Sequence, residues 1–319
     1  MNFFFYVSGV VLANASLDIA FHDTVWIFLL AIFMPSYFFN TKTELNMPSI
    51  SFNLDCGGYV ASNSLYINNY NEYIKMFWVG LMDGDGSIQV NHWRRQSLQY
   101  RLVIKLSNIK SNFNMLIEIA KVIGGMVRIT GKGADIIWVV NKKEEILAII
   151  RIFDTYPPLT SKKICQLAFL KTCLTNTKSR LLIPRRGIRD KAETYLLNRG
   201  LKYSQQIAII NSNINFKIPN YFEGWLSGFI EAEGCFSIRK SNNHSFSIGQ
   251  NDDVYLIKAI KQYFEVTNKV RNPYGKFYFL EVYKKEVLEK IITHCINYPL
   301  LGEKLESLKK FSPSAQAQD

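Results

Sequence analysis

Phe77-Trp78-Val79-Gly80-Leu81-Met82-Asp83-Gly84-Asp85-Gly86 and Trp225-Leu226-Ser227-Gly228-Phe229-Ile230-Glu231-Ala232-Glu233-Gly234 are two copies of one pattern, an apolar run closed by two acids. Aligned so that Asp85 meets Glu233, the copies stand 148 residues apart. Small residues four apart, Gly80 with Gly84 and Gly228 with Ala232, share one helix face and let two helix backbones approach closely. If the two helices pack across a pseudo-two-fold axis, their C-terminal ends converge and Asp85 lies beside Glu233. Two carboxylates at the negative ends of two helices repel each other, and the helix dipoles add to the cost. A hard cation such as Mg2+ (or Mn2+) offsets it and keeps water that it can activate. Carboxylates, a divalent ion and a basic protein together point to hydrolysis of a phosphodiester.

The charge of +12 and pI near 9.3 suggest a polyanionic partner, nucleic acid ahead of an anionic membrane. With 48% apolar residues among 319, the chain can bury a sizeable core, which sets disorder aside for most of its length. The charge is uneven. In residues 1–70 Lys42 is the single base against Asp18, Asp23, Glu44 and Asp55, so head and body read as different objects. Cys56, Cys165, Cys173, Cys235 and Cys295 form no C-x-x-C pair, which argues against a disulfide framework or a structural zinc site and for a reducing compartment.

The acidic pattern begins a longer repeat. Setting residues 72–173 beneath 220–310 also matches Leu106-Ser107-Asn108 with Ile248-Gly249-Gln250, and Lys142-Lys143-Glu144 with Lys284-Lys285-Glu286. Tyr156-Pro157 followed by Lys162 matches Tyr298-Pro299 followed by Lys304; all three share an offset of 142. Each copy reads as an apolar helix, two strands, a helix (about 112–123 and 252–264), two strands (about 125–141 and 267–283) and a closing helix from near Lys143 or Lys285. Alternation puts Ile88, Val90, Leu102, Ile104, Leu106, Phe236 and Ile238 inward, and Gln89, Asn91, Arg101, Lys105, Ser237 and Arg239 outward. Asn220, with Glu223 three residues on, reads as a capping box.

The expected class is α+β, with an antiparallel sheet in each half. Two pseudo-symmetric αββαββα subdomains span 71–173 and 220–311, with a basic connector at 174–219 and a tail at 312–319. The connector sets nine Lys or Arg against Asp190 and Glu193, and reads equally as a solvated linker or as a strap along phosphates.

The head and linker, 1–70, carry apolar runs at Phe3–Ala13 and Val25–Phe39, each shorter than the roughly 20 residues that cross a bilayer comfortably. No secretory or transit pattern stands out. Ser8–Thr24, SGVVLANASLDIAFHDT, resembles a segment of cytochrome c oxidase subunit 1, the mitochondrially encoded membrane subunit, and the resemblance stops near Thr24. An exon fragment running into unrelated sequence is the arrangement expected of an intron reading frame, and it leaves His22 and Asp23 without a role. Residues 40–70, rich in Asn and Ser, read as a flexible linker.

VGLMDGDG and LSGFIEAEG resemble the two LAGLIDADG motifs of the homing endonucleases, and the similarity covers about residues 70–310. The resemblance implies that Asp85 and Glu233 bind the metal ions at the scissile phosphates, assisted by the backbone carbonyls of Gly84 and Ala232. Asp83 and Glu231 match a position given to structure near the helix end. A basic residue near the active site, often in a Pro-x-Leu-x-x-Lys-like context, would steady developing charge or position water, which implies Lys162 and Lys304. The second copy has Glu303 beside Lys304 where the family often has another Lys.

An antiparallel sheet can lie in the major groove, where base edges carry a complete donor and acceptor code. On the two sheets of the implied DNA-binding saddle, Gln89, Asn91, Arg101, Lys105, Ser237, Arg239 and Ser247 are candidate DNA contacts, with Arg128, Lys132, Arg271 and Lys276 in or near the second hairpins. Unequal halves imply a long asymmetric double-stranded DNA site, cut on both strands to leave short cohesive ends and promote homing of a group I intron. The protein is expected to be a monomer in the mitochondrial matrix, its head membrane-associated before processing. Two rival readings stand beside this one: a maturase that binds its own intron RNA and aids its splicing, and a membrane-integrated protein that keeps its head.

Overall fold

The computed structural model describes residues 70–93, 97–175, 187–238 and 243–312. The readings made for residues 1–69, for Arg239 and for 313–319 lie outside the described residues.

The first half opens with α1 (Tyr70–Gly84) and continues through β1 (Gly86–Trp93), β2 (Ser97–Ser107), α2 (Lys110–Ile123), β3 (Met126–Thr130), β4 (Asp135–Val140) and α3 (Lys143–Thr155). A further helix, α4 (Ser161–Thr175), follows α3. After α5 (Gly187–Ser212) the second half repeats the order as α6 (Phe222–Glu233), β5 (Gly234–Ile238), β6 (His244–Asn251), α7 (Val254–Tyr263), β7 (Arg271–Tyr274), β8 (Phe277–Val282), α8 (Lys285–Asn297) and α9 (Glu303–Phe311). Each half therefore adds one helix, α4 or α9, to the expected αββαββα order.

The two antiparallel sheets have the same topology, β1-β2-β4-β3 and β5-β6-β8-β7. Tyr100, Leu102 and Ile104 are buried on one face of β2, as are Ile136, Trp138 and Val140 on β4. Helices cover these faces with stripes at three- and four-residue spacing, such as Met115, Leu116, Ile119 and Ile123 of α2 or Ile146, Ile149 and Phe153 of α3. The two halves share one continuous core, which runs through α1 and α6.

That pair of helices is the axis of the fold. A Cβ on Gly80 would lie 1.9 Å from the Trp225 carbonyl oxygen, and one on Gly228 would lie 1.8 Å from that of Phe77. One on Gly84 would meet the Ala232 Cβ at 2.3 Å. The contacts advance together along both helices, so the two run in the same direction and end side by side, as the small-residue spacing predicts.

Three local expectations are corrected. The constant offset of 142 fails in the second strand of each half. Gly86 faces Ile104 and Gly234 faces Ile248, so β6 matches β2 at 144 and Ser107 corresponds to Asn251 rather than to Gly249. Two residues are lost between that strand pair and the next, which a sequence match spanning both cannot place. The capping box at Asn220 is absent: Tyr221 precedes the first turn of α6, with no side-chain cap. Ile238, expected inward, ends β5 and is 49% exposed.

Within the connector, residues Gly187–Ser212 form α5. α5 packs on the first half through Gln206, which donates to Ser161 Oγ at 2.9 Å, and Tyr195, whose hydroxyl reaches the Val90 carbonyl at 3.4 Å. Of its nine bases only Arg199 and Lys217 have side chains among those described, and both are exposed. No helix among the described residues is long and apolar enough to cross a membrane.

Gly80→Ala or Gly228→Ala forces a methyl into a facing backbone and should lower stability by about 3 kcal/mol, the upper end for overpacking. Gly200→Ala, in α5 with no heavy atom within 4 Å of its added carbon, should raise it by about 0.5–1 kcal/mol through helix propensity. Urea unfolding of the three variants checks both signs.

Candidate active site

α1 and α6 end at the acids. Gly84 leaves room for its neighbour: a Cβ there would sit 3.2 Å from Glu233 Cγ and 3.4 Å from Glu233 Oε1, so the Glu233 side chain lies over the end of α1. Asp85 follows that end at once, its N–H donating to the Leu81 carbonyl at 3.0 Å. The two carboxylates come from opposite halves and lie close enough for Asp85 to raise Glu233, and Asp85 lines a cleft of about 410 Å³. Asp85, Lys105, Asp135, Glu231, Ala232 and Lys304 are among its lining residues, so both halves build it.

The preceding acids do different work. Asp83, 2% exposed, accepts from the Leu159 N–H at 2.7 Å, the Thr160 N–H at 3.2 Å, the Thr160 hydroxyl at 2.6 Å and Trp225 Nε1 at 2.7 Å. Glu231 accepts from the N–H groups of Leu301, Gly302 and Lys304 at 3.2, 3.1 and 2.9 Å. Each acid thus ties the end of its motif helix to the turn that opens α4 or α9. Burial raises both carboxyls and these donors oppose it. Their coordination is filled by donors of the protein itself, which fits the structural role the resemblance implied.

That tie sets the lysines. Lys163, 4% exposed, is held inside with Asp83, Glu233 and Asp85 as its opposite charges. Burial lowers its pKa, and Asp83 counters most strongly among the acids. Lys304 acts on Asp85 and Glu233 from the other half. Lys162, the residue expected here, is exposed on the outer side of α4, and its neighbour takes the place beside the acids. One residue of helical phase decides between them: α4 begins at Ser161, held by Asp253 and by the Asp83 bonds to Leu159 and Thr160 just before it, and its buried residues are Ser161, Lys163, Cys165, Leu167, Phe169, Leu170, Cys173 and Leu174. The only sequence signal for Lys163 was its place next to Lys162.

Burial in the cleft raises Asp85 from 3.8 to about 6, while Lys304 and Lys163 pull it down. Burial and then Asp85 raise Glu233, again against the two lysines. The pair is held together at a cost in ionisation, and a cation is the group that lowers this cost. Among the described residues no cluster of three or more His, Cys, Asp or Glu could hold a metal. Two carboxylates alone suit an ion that keeps water and takes further oxygens from a phosphate, as Mg2+ does.

The candidate DNA contacts among the described residues fall on the outward sheet faces, except Lys132 and Lys276, which lie in the second hairpins' turns. Asn91, Lys105, Arg128, Lys132, Arg271 and Lys276 are exposed; Gln89, Arg101, Ser237 and Ser247 are half-buried. Several are engaged. Lys105 meets Asp135 at 2.8 Å, Arg271 meets Glu281 at 3.4 Å and Lys276 meets Asp252 at 3.7 Å. Gln89 Nε2 donates to Ser87 Oγ at 3.1 Å. Lys132 sits in the β3–β4 turn with φ 56°. Exposed ion pairs are worth little, about 0–1 kcal/mol, so these cations can exchange an internal acid for a phosphate.

The LAGLIDADG endonuclease family matches residues 78–173 and 226–313, more than half of the chain. "Probable intron-encoded endonuclease aI3" of Debaryomyces hansenii is 48% identical over 96% of this chain, and the chain spans about half, 48%, of that relative. Its namesake in Dictyostelium citrinum is 46% identical over 75% of this chain and 94% of its own length. Among solved structures, the LAGLIDADG meganuclease I-AabMI bound to uncleaved DNA is 25% identical with a TM-score of 0.59, covering 76% of this chain and 90% of that one. The homing endonuclease I-GzeII in complex with its DNA target shares the fold at 20% identity and a TM-score of 0.61, over 76% and 89% of the two chains.

Asp85 carries a raised pKa, so its contribution to stability is present below 3.8 and lost as pH rises through about 6. Asp85→Asn removes the charge and should therefore stabilise the metal-free protein at pH 8 but not at pH 4. Because Asp85 is open to solvent on one side, screening limits the gain to roughly 1 kcal/mol or less, a rise in melting temperature of about 2–4 °C. Thermal melts of both proteins across pH 4–8 with a chelator present check the sign.

Proposed function

The chain belongs to the LAGLIDADG endonuclease family, and we propose that it is a site-specific, metal-dependent endonuclease that cuts both strands of DNA to promote homing of its own group I intron. The observation that carries this reading is the meeting of Asp85 and Glu233 at the ends of two helices, flanked by Lys163 and Lys304. Asp85 and Glu233, with the Gly84 and Ala232 carbonyls, would hold a divalent ion there, which when bound would supply Lewis-acid polarisation of the phosphate and a more acidic water.

The protein's own groups do the rest. Lys163 is buried and fixed, so its charge stands ready where the phosphate gains negative charge and needs no rearrangement to act. Lys304, half-buried, brings a second positive charge from the other half. Hydrolysis joins the oxygen of a water to phosphorus, breaks the bond from phosphorus to one sugar oxygen, and leaves the water's proton with that oxygen. Asp83 and Glu231 keep the two helix ends registered with α4 and α9 and hence hold acids and lysines in one geometry.

The outward faces of the two sheets form the saddle that receives the duplex. Their side chains differ between halves, which supports a long asymmetric site read by a monomer. The Debaryomyces alignment covers 96% of this chain and so must run into its first 70 residues. This supports reading the head as translated with the body, and the likeness of Ser8–Thr24 to cytochrome c oxidase subunit 1 supports a mitochondrial location. The splicing-helper reading gains no support from the site, which keeps both acids, Asp85 and Glu233.

The full chain with Mg2+ should cut the uninterrupted gene of its host intron at one place, and chelation should stop it. Asp85→Asn and Glu233→Gln should each slow cutting by roughly a thousandfold, a loss of about 4 kcal/mol in transition-state stabilisation, with DNA affinity within a few fold. Cutting by Asp85→Asn at the original rate would remove that residue from the mechanism. Lys163→Met should cost about a hundredfold, whereas exposed Lys162→Met should stay within about threefold. Single-turnover cleavage on the same duplex separates the two lysines.

A further inference from the structure

Both sheets carry apolar side chains on the face turned away from the helices, where a half-solvated sheet ordinarily carries polar ones. In the first sheet Val103, Ile137 and Val139 form a cluster of their own, separate from the main core. Ile137 stands in register between Lys105 on β2 and Arg128 on β3. In the second sheet Phe279 stands between Gly249 on β6 and Arg271 on β7. The Phe277 ring lies beside it, centroids 6.0 Å apart, over the space that a Cβ on Gly249 would fill. With the offset of 144 between β2 and β6, Lys105 corresponds to Gly249, so Ile137 and Phe279 occupy corresponding places, each next to an arginine.

Resting on the reading of these faces as the DNA-binding surface, we propose that Ile137 and Phe279 select thymine, through its 5-methyl group, at two positions placed alike on either side of the cut. The thymine methyl is the one apolar group among the base edges of the major groove, and side chains without donors or acceptors discriminate by contact with it. The flanking cations argue for a polyanion as the occupant of these patches rather than another apolar surface. Phe277 and Phe279 are half-buried and within reach. Ile137 is 8% exposed in the free protein, and its cross-strand neighbour Lys105 is drawn to Asp135, so contact with the base needs that lysine to turn to a phosphate.

The two halves also differ. Val103 and Val139 widen the patch in the first sheet, whereas Ser247 and Glu281 face each other at the corresponding places in the second. The first half therefore takes the half-site with more thymine contacts.

The test uses the full chain and the duplex it cuts, with each thymine replaced singly by deoxyuridine, which removes only the methyl. Loss of one contacted methyl should weaken binding about fourfold. Sensitive thymines should occur on both sides of the cut at matching distances. Phe279→Ser should erase the sensitivity on its own side alone. If that variant does not fold, the deoxyuridine series on the unaltered protein decides. Equal affinity for every deoxyuridine duplex, with the parent duplex still cut, overturns the thymine inference and leaves the nuclease standing. Failure to bind or cut any duplex overturns both.

Discussion

The contact of two helix backbones at Gly80 and Gly228 governs the rest of this structure. Each glycine stands where a single methyl would enter the carbonyl of the facing helix. So close an approach fixes both the spacing and the direction of α1 and α6, because no side chain intervenes to slide or pivot upon. The acids are carried at the ends of those helices. Their separation is therefore a consequence of backbone packing far more than of side-chain choice.

Around this axis the two halves hold each other by exchanged bonds. The Tyr73 hydroxyl donates to the Pro299 carbonyl and the Tyr221 hydroxyl to that of Pro157, so each half's motif helix grips the other half's closing turn. The N-terminus of α4 is met by Asp253 of the second half, through the Ser161 N–H at 3.0 Å, and that of α9 by Asn112 of the first, through the Glu303 N–H at 3.0 Å. Free N–H groups at helix starts need such partners. Here the partner comes from across the pseudo-two-fold, so the lysines near those starts, Lys163 and Lys304, are positioned only when both halves are in place.

The site keeps what the fold alone would discard. Asp85 and Glu233 are raised by burial, and Lys163 is lowered by it, although the acids and the lysine oppose each other's shifts. Buried charges in partial compensation destabilise unless a further ion or ligand completes them. The first acids of the motifs show the contrast: Asp83 and Glu231 are more deeply buried than the reactive pair, yet the protein's own donors surround them. Incomplete satisfaction marks the pair that acts on something else.

By itself the sequence determined the repeat, the α+β class, the convergence of the motif helices and the identity of the acid pair. These follow from local rules: small residues at four-residue spacing, strands of period two, and acids at a helix end. Tertiary structure alone decided which lysine reaches the acids. The choice of Lys163 over Lys162 depends on where α4 starts, and that start is fixed by Asp83 and by Asp253, 92 residues beyond Ser161 in the chain. It likewise decided the two-residue slip between β2 and β6, since strand register is set by pairing partners that an ungapped match cannot see. The apolar rows beside Arg128 and Arg271 were hidden for the same reason: residues distant in sequence become neighbours only when strands are laid side by side.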